Sequence, residues 1–282
     1  MRIGIVSIPS ASESGTAVAT HVTAVARRVE TLGFYGLWVT DAFGRGKPTL
    51  DPLILLGALA AQTSRIELGT CVLQVPLRHP VELAQRVQTL SALSQCRFRF
   101  GVGSGSTRHD FDAVEADFDA RFKMLPKSLS TMRQVWAGEP VFGPALSMWP
   151  GTEGGPPVLL GAWRSERWIN LAATLQGWIA SGIHTSWEDL AIGLKMFRDA
   201  GGKRVLVANI FTDFRDAPPA LPIPFVPKIS LLCSQQEAKD RLRRLEDLGV
   251  DDALLVVPPD DPGQLEAIAT LQAQRVALST PR

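Results

Sequence analysis

Short apolar runs without polar alternation recur eight times along the chain, at Arg2–Ile8, Gly36–Thr40, Ile66–Leu73, Arg97–Val102, Val158–Leu160, Gly177–Ala180, Arg204–Thr212 and Asp252–Val257. Strands that read this way are covered on both faces, as in a parallel sheet sheathed by helices. Each run is followed by a helical pattern. Eight such alternations predict an α/β fold, a closed (β/α)8 TIM barrel. In one helical stretch Ala238, Leu242, Leu245 and Leu248 repeat at helical intervals while Lys239, Arg241, Arg243 and Arg244 fall elsewhere. That gives one buried stripe, as an outer barrel helix needs.

The ends of the helices are marked by local chemistry. Asp51-Pro52, His79-Pro80 and Asp261-Pro262 each set a capping residue before a proline whose missing N–H costs nothing in a first turn. Ser186-Trp187-Glu188-Asp189 and Ser234-Gln235-Gln236-Glu237 read as capping boxes. Gly33, Gly201 and Gly249 stand where helices must close in a left-handed turn. Residues 139–157 and 213–227 are dense in Pro and Gly and are expected to be irregular insertions. The second follows the seventh predicted strand and is the candidate lid over the carboxyl end of the barrel. The helix after Pro52, Leu53-Ile-Leu-Leu-Gly-Ala-Leu-Ala-Ala61, is apolar all round. It is expected to face a second copy of the chain across residues 52–62, another helix or loop being the alternative cover.

Composition narrows the partners. The 282 residues carry 29 Lys and Arg against 28 Asp and Glu, a formal charge of +1. No global field draws such a chain onto nucleic acid or an anionic membrane, which leaves a small-molecule partner. The length suits one barrel domain over 1–282. Residues 1–8 begin with one charge and pass at once into a short apolar run, too brief for a membrane span or a secretory signal. A cytoplasmic protein is expected. Cys71, Cys96 and Cys233 are odd in number and widely separated, so they read as reduced thiols rather than a metal or redox cluster.

Five segments occur together in order between Ala60 and Pro140: Thr63-Ser-Arg-Ile-Glu-Leu-Gly-Thr, Pro76-Leu-Arg-His-Pro, Gly101-Val-Gly-Ser-Gly, Phe118-x-x-Arg-Phe and Trp136-Ala-Gly-Glu-Pro. With Leu32-Gly-Phe-x-Gly-Leu-Trp-Val upstream and Gly177-Trp178 downstream, the chain resembles the luciferase-like monooxygenase family over most of its length. The resemblance implies FMN, or the deazaflavin coenzyme F-420, held across the carboxyl ends of barrel strands, often in a dimer. It also implies a cis, non-prolyl bulge at Cys71–Val72.

On this resemblance, Thr70, Cys71, Val72 and Gln74 at the end of the third strand line a slot for the ring, with Gln74 on its polar edge. Cys71 by itself reads as a small buried filler. Phosphate is best held by N–H groups at a helix start, by hydroxyls or by a guanidinium, and Gly161, Ala162, Trp163 and Arg164 are the leading candidates. Ala162 and Trp163 depart from the family's Gly-Gly-x-Ser, and Arg164 is open to two readings, phosphate ligand or solvated charge. Gly101-x-Gly-x-Gly lacks dinucleotide-fingerprint spacing and is expected to let a ligand approach closely, with Ser104, Ser106 and Thr107 contributing hydroxyls or capping the next helix. For proton handling the candidates are Asp41, His109 and His184. Asp41-Ala42-Phe43 stands where family members often read Asp-His-Phe, and His79 reads as structural. Two functions compete: oxidoreduction with a reduced flavin, and flavin binding without turnover. A cofactor-free aldolase or isomerase lacks a strand-end lysine or paired carboxylates.

Overall fold

The structure, a computed structural model, describes residues 1–7, 15–43, 48–147, 149–216, 226–258, 261 and 263–279. Its strands are β1 (Arg2–Ser7), β2 (Gly36–Val39), β3 (Glu67–Thr70), β4 (Leu73–Gln74), β5 (Phe98–Gly103), β6 (Val158–Gly161), β7 (Gly177–Ser181), β8 (Val205–Asp213), β9 (Leu231–Leu232) and β10 (Asp252–Val256). Every pairing is parallel, and the order β1-β2-β3-β5-β6-β7-β8-β10 returns to β1. Eight strand positions therefore close into a barrel. The third predicted strand is broken in two at Cys71–Val72, whose peptide bond is cis; β4 resumes beyond it and pairs with β5. The short β9, which the apolar pattern does not mark, extends the end of β8.

Around the barrel run α1 (Gly15–Thr31), α2 (Pro52–Ala60), α3 (Pro80–Leu93), α4 (Arg108–Asp112), α5 (Arg121–Trp136), α6 (Glu166–Ala173), α7 (Trp187–Asp199), α8 (Gln235–Asp247) and α9 (Gly263–Ser279). Four of the five expected caps form. Asp51 accepts from the N–H groups of Leu53 and Ile54 at 2.9 and 3.0 Å. Ser186 accepts from Asp189 N–H at 3.1 Å, and Ser234 from Glu237 N–H at 3.3 Å. Asp261 accepts from Gly263 N–H at 3.0 Å, while His79 makes no side-chain cap. Gly33, Gly201 and Gly249 take φ of 80°, 83° and 90° as their helices end.

Side chains alternate between two cores. Leu37, Val39, Leu68, Phe98, Phe100 and Val207 point outward and meet the helices, while Val6, Trp38, Cys71, Leu159, Ile179, Leu206 and Leu254 form a separate cluster inside the barrel. At the amino ends of the strands the lumen is closed by charge. Asp252, fully buried, accepts from Arg2 Nε and Arg204 Nε at 2.7 Å each, and Glu67 accepts from Arg204 Nη2 at 2.7 Å and pairs with Arg99 at 3.1 Å. The Tyr35 ring lies under Arg2 and Arg204, their guanidinium carbons 4.5 and 5.9 Å from its centroid. Both acids are satisfied from several sides, the condition under which buried charge is tolerated.

Helix α2 hides more of itself than its sequence suggests. Leu53, Leu55, Leu56, Leu59 and Ala60 are buried within the chain, against α1, α3 and β3. The exposed remainder is the stripe Ile54, Ala58 and Ala61, with Ile54 at 77%. Residues 139–157 have no helix or strand among those described and fold back on α3 and α5, where Gln88 Nε2 donates to Thr152 Oγ1 at 3.0 Å. A hollow of about 430 Å³ between this segment and the end of α5, lined by Trp136, Gly138, Ala145 and Leu146 among others, lies toward the amino ends of the strands. Of the expected lid, residues 217–225 lie outside the described residues.

The glycine run on β5 serves packing rather than ligand approach. A methyl group at Gly101 would overlap the Thr70 carbonyl oxygen, and one at Gly103 would lie 2.5 Å from Val72 Cγ2. The glycines make room for the bulged end of β3. Gly101→Ala should therefore lower stability by about 3 kcal/mol, the upper range for overpacking, because the obstacle is backbone. A urea midpoint unchanged from wild type would contradict this.

Candidate functional site: the carboxyl end of the barrel

With charge sealing one end, the other is where the lumen meets solvent. Its floor is apolar: Cys71, Ile179, Ala208, Phe211 and Val256 are buried there, with Val72, Ile183 and Leu232 packed partly exposed against them. The ends of β5, β6 and β7 carry Gly103, Gly161 and Gly182. Small residues at three successive strand ends keep the mouth from being plugged by side chains.

Two polar networks fix opposite sides of this floor. On the β2–β4 side, Arg78 Nη1 and Nη2 donate to Asp41 at 2.6 and 3.0 Å, a bidentate pair with only 1% of the Asp41 side chain exposed. Asp41 also accepts from Gln74 N–H at 2.9 Å. The Gln74 amide donates to Asp110 Oδ2 at 2.8 Å, and Asp110 accepts from Phe43 N–H at 3.1 Å. On the β8 side, Asp213 accepts from Arg215 at 2.6–3.1 Å and from Gln264 Nε2 at 3.3 Å. Burial alone would raise the Asp213 carboxyl, but the Arg215 guanidinium and N–H outweigh it and hold it below the usual carboxylate range.

The predicted residues separate on this frame. Thr70, Cys71, Val72 and Gln74 come together at the end of β3 and start of β4. Thr70 is buried and donates to Gly101 O at 2.6 Å. Burial pushes the Cys71 thiol far up, so it is an uncharged filler. The Gln74 amide nitrogen is committed to Asp110 and Asp41, while its Oε1 is buried without a partner. Ser104, Ser106 and Thr107 follow β5, with Ser106 exposed; Thr107 stands at the start of α4 without capping it. Gly161 ends β6 and touches the bulge: a methyl group there would lie 2.7 Å from Val72 Cγ1. Ala162 is buried, its carbonyl accepting from Trp178 Nε1 at 2.9 Å. Arg164 is paired with Asp189 at 2.9 Å. The start of α6 has no side-chain cap although Ser165 occupies the position; the Ser165 carbonyl accepts from Trp168 and Ile169 N–H at 3.0 and 2.9 Å, which leaves the N–H groups of Glu166 and Arg167 as the open donors of the first turn.

Of the histidines, His109 stands on α4 with 82% of its side chain exposed and its Nδ1 4.0 Å from Asp112. His184 follows β7, and its ring lies 4.5 Å from that of Trp163 with an interplanar angle of 46°. Partial burial lowers its imidazole below the usual value, so it is neutral at neutral pH. His79 meets Phe142 at 5.9 Å on the outside, as its structural reading expects. Asp41 and His184 thus lie on two different loops and His109 on α4.

The family model for luciferase-like monooxygenases matches residues 1–206. This chain belongs to that family. An uncharacterized protein of Mycobacterium tuberculosis is 30% identical over 223 residues, covering 74% of this chain and 70% of its own. An F-420-dependent glucose-6-phosphate dehydrogenase of Amycolatopsis mediterranei is 34% identical over 123 residues, 40% of this chain and 37% of its own. Among solved structures, a monooxygenase of Streptomyces bottropensis matches with a TM-score of 0.81 at 18% identity, covering 98% of this chain and all of its own. The oxygenating constituent of 3,6-diketocamphane monooxygenase of Pseudomonas putida, in complex with FMN, matches at 0.77 and 16% identity over 100% and 99%. An F-420-dependent secondary alcohol dehydrogenase matches at 0.74 and 15% over 96% and 97%. Both expected cofactors thus have a counterpart among these oxidoreductases, and the barrel is the shared fold.

This luciferase-like family member has residues near the carboxyl end of the barrel that sequence reading overlooked. Asn209 takes a left-handed φ of 59° inside β8, where the pairing with β10 slips between Ala253 and Leu255. Bulges of this kind redirect a strand beside a site, and no turn chemistry in Val207-Ala-Asn-Ile210 marks it. Asp110 and Arg78 were equally silent, since their partners lie in other loops, and so was the bond from Gln264 that ties Asp213 to α9.

Acid should loosen the β8 side. A carboxyl held below its unfolded value of about 3.9 contributes stability that is present above that pH and lost as pH falls through the folded value. Arg215→Met should lower the thermal midpoint near neutrality and flatten its decline below about pH 4; a variant keeping the full wild-type slope would exclude Asp213 as its source.

Proposed function

We propose that the chain is a flavin-dependent oxidoreductase or monooxygenase, one barrel domain, acting on a small organic substrate with reduced FMN or reduced deazaflavin F-420. One observation carries the reading. In a luciferase-like barrel whose other end is sealed by charge, the apolar floor at the carboxyl end sits beside the uncapped start of α6. The residues fit the group: a flat apolar surface with small strand-end residues suits a tricyclic ring, and orphan N–H groups with hydroxyls suit a phosphate.

Val72, Cys71 and Gly161 would lie against the ring, with Thr70 and Gln74 holding the bulge. Ser104, Ser106 and Thr107 on one loop, and Ala162, Trp163, Arg164 and Ser165 on the other, would flank the phosphate. When bound, the reduced flavin supplies the electrons and the chemistry of oxygen or hydride transfer. The protein orients it and excludes water. Asp41 fixes Arg78 and the Gln74 backbone, a positioning role. For proton transfer His184, neutral and at the mouth, is better placed than the outward His109.

A second reading, flavin binding without turnover, is favoured by Asp41-Ala42-Phe43, which offers no imidazole, and by the complete pairing of Asp41 with Arg78. Titration with FMN and with F-420, followed by reoxidation of the reduced complex, separates the two. Binding of neither cofactor would remove both. Ser165→Asp is the sharper probe of the phosphate position, because aspartate is a good N-cap that leaves α6 intact yet repels an anion. FMN affinity should fall about tenfold while riboflavin affinity stays at the wild-type value; equal loss for both ligands would relocate the phosphate.

The homodimer belongs to the same proposal, through residues 52–62, where Ile54, Ala58 and Ala61 form one exposed stripe at helical spacing. Ile54→Glu should turn a dimer into a monomer by light scattering, and a wild-type protein that is already monomeric at micromolar concentration ends this part. A cytoplasmic location is consistent with three free thiols, and no helix among the described residues is long and apolar enough to cross a membrane.

A further inference from the structure

Asn209 is the inserted residue of the β8 bulge. Val207 pairs with Ala253 and Ile210 with Leu255, so Ala208 and Asn209 together stand opposite the single residue Leu254. Val207 and Ile210 pack outward against the helices, whereas Ala208, Phe211 and Leu254 belong to the cluster inside the barrel. Two residues set against one inward-pointing partner share its side of the sheet, which turns Asn209 toward the lumen. A methyl group on Gly182, just past the end of β7, would lie 3.0 Å from the Asn209 carbonyl oxygen, so the bulge stands at the rim. It is fastened there, with Gly182 N–H donating to Ala208 O and Ile229 N–H to Gly182 O at 2.7 Å each. In the closed strand order β8 is opposite β3, so Asn209 lies across the floor from the Cys71–Val72 bulge.

The backbone of Asn209 is left-handed, with φ 59°, a conformation that glycine adopts at no steric cost. Asparagine tolerates it because its carboxamide can bond nearby backbone. Here that bond is not made: the Asn209 amide has no hydrogen-bond partner among the described residues. Nor does it belong to the buried side-chain atoms left without a partner, so it reaches solvent although Ala208 and Ile210 on either side are buried. Solvent on the lumen side of β8 is the mouth. A carboxamide on a fastened backbone, with its oxygen and its NH2 both unspent, is the form that a preorganised polar contact for a ligand takes.

Its chemistry selects the ligand group. A carboxamide presents an acceptor and a donor side by side in one plane. An edge with an N–H next to a C=O answers both at once, as when asparagine reads the paired donor and acceptor of adenine. A lone carbonyl or a carboxylate answers only the donor.

We propose that Asn209 is a specificity-determining contact of the mouth that reads an amide-type edge, an N–H adjacent to a C=O, on the bound ligand. Two sources carry that edge, the dioxopyrimidine end of a flavin ring and a substrate with a lactam or imide group. The first rests on the flavin reading of the site and the second does not. The test is calorimetric titration of the full chain with FMN and 3-methyl-FMN, and with 2-quinolone and N-methyl-2-quinolone, the methylated member of each pair lacking the N–H. Asn209→Gly keeps the left-handed backbone, and its thermal midpoint should equal or exceed that of wild type. For one of the pairs it should weaken the parent about tenfold and the N-methyl compound less than about threefold. Selective loss of FMN assigns the edge to the cofactor, and selective loss of 2-quinolone assigns it to the substrate. Asn209→Asp, which keeps the size of the side chain and removes the donor, should show the same selective loss, independently of any change in the backbone.

Equal affinities of wild type and both variants for FMN and for 2-quinolone overturn the proposal. Equal loss for a parent and its N-methyl partner overturns it as well, as does a wild type that binds neither parent. Selective loss of 2-quinolone in a protein that binds neither FMN nor F-420 leaves the contact standing and fails the flavin reading alone.

Discussion

A ring of eight parallel strands encloses a lumen that has to be filled, and the rest of this molecule follows from how it is filled. Trp38 takes the middle of the space, fully buried, and a methyl group at Gly69 on the neighbouring strand would strike its ring. Leu159, Ile179, Leu206 and Leu254 complete the layer. Below, Arg2, Arg204, Glu67 and Asp252 close the barrel with mutually satisfied charge. Above, the ends of β5, β6 and β7 give small side chains over an apolar floor, which offers a ligand surface. Packing and electrostatics use up the opposite rim.

The same division sets which residues are mobile in role and which are not. At the mouth, the Asp41–Arg78 and Asp213–Arg215 pairs are largely out of water, where removing one partner costs far more than the pair contributes. The first joins residue 41 to residue 78, and at the second Gln264 of α9 donates to Asp213, tying it to a distant part of the sequence. Their work is to hold the floor between them flat and in place. Residue type marks Asp41 as a proton-handling candidate, and its carboxylate is committed to Arg78 on both oxygens.

The barrel was legible from the chain because each of its eight strands obeys a local rule: an apolar run, then a cap, then a helical stripe, then a glycine stop. Seven of the eight predicted runs coincide with observed strands within one residue among the described positions, and the other, Ile66–Leu73, is interrupted where the Cys71–Val72 bond is cis. That break is not a property of local pattern; the family resemblance located it. The mouth was less legible. Gln74 reads as a free amide but spends its nitrogen on Asp110, and the Gly101 run reads as ligand space but is occupied by Thr70 and Val72. In both cases the competing partner lies more than thirty residues away or across a strand pair, beyond the reach of spacing arguments.

Helix α2 shows the same lesson in the other direction and leads to a constraint on assembly. A nine-residue helix with apolar residues on every side reads from sequence as needing a partner chain, yet the monomer covers most of it, because a helix lodged between α1, α3 and β3 is buried on more than one face. What remains, Ile54 with two alanines, is too small to drive a stable dimer alone, since specific interfaces bury roughly 800 Å² per partner. A dimer built on this face therefore has to recruit neighbouring surface as well. The close approach that Ala58 and Ala61 permit would then set the register, with Ile54 as the apolar anchor.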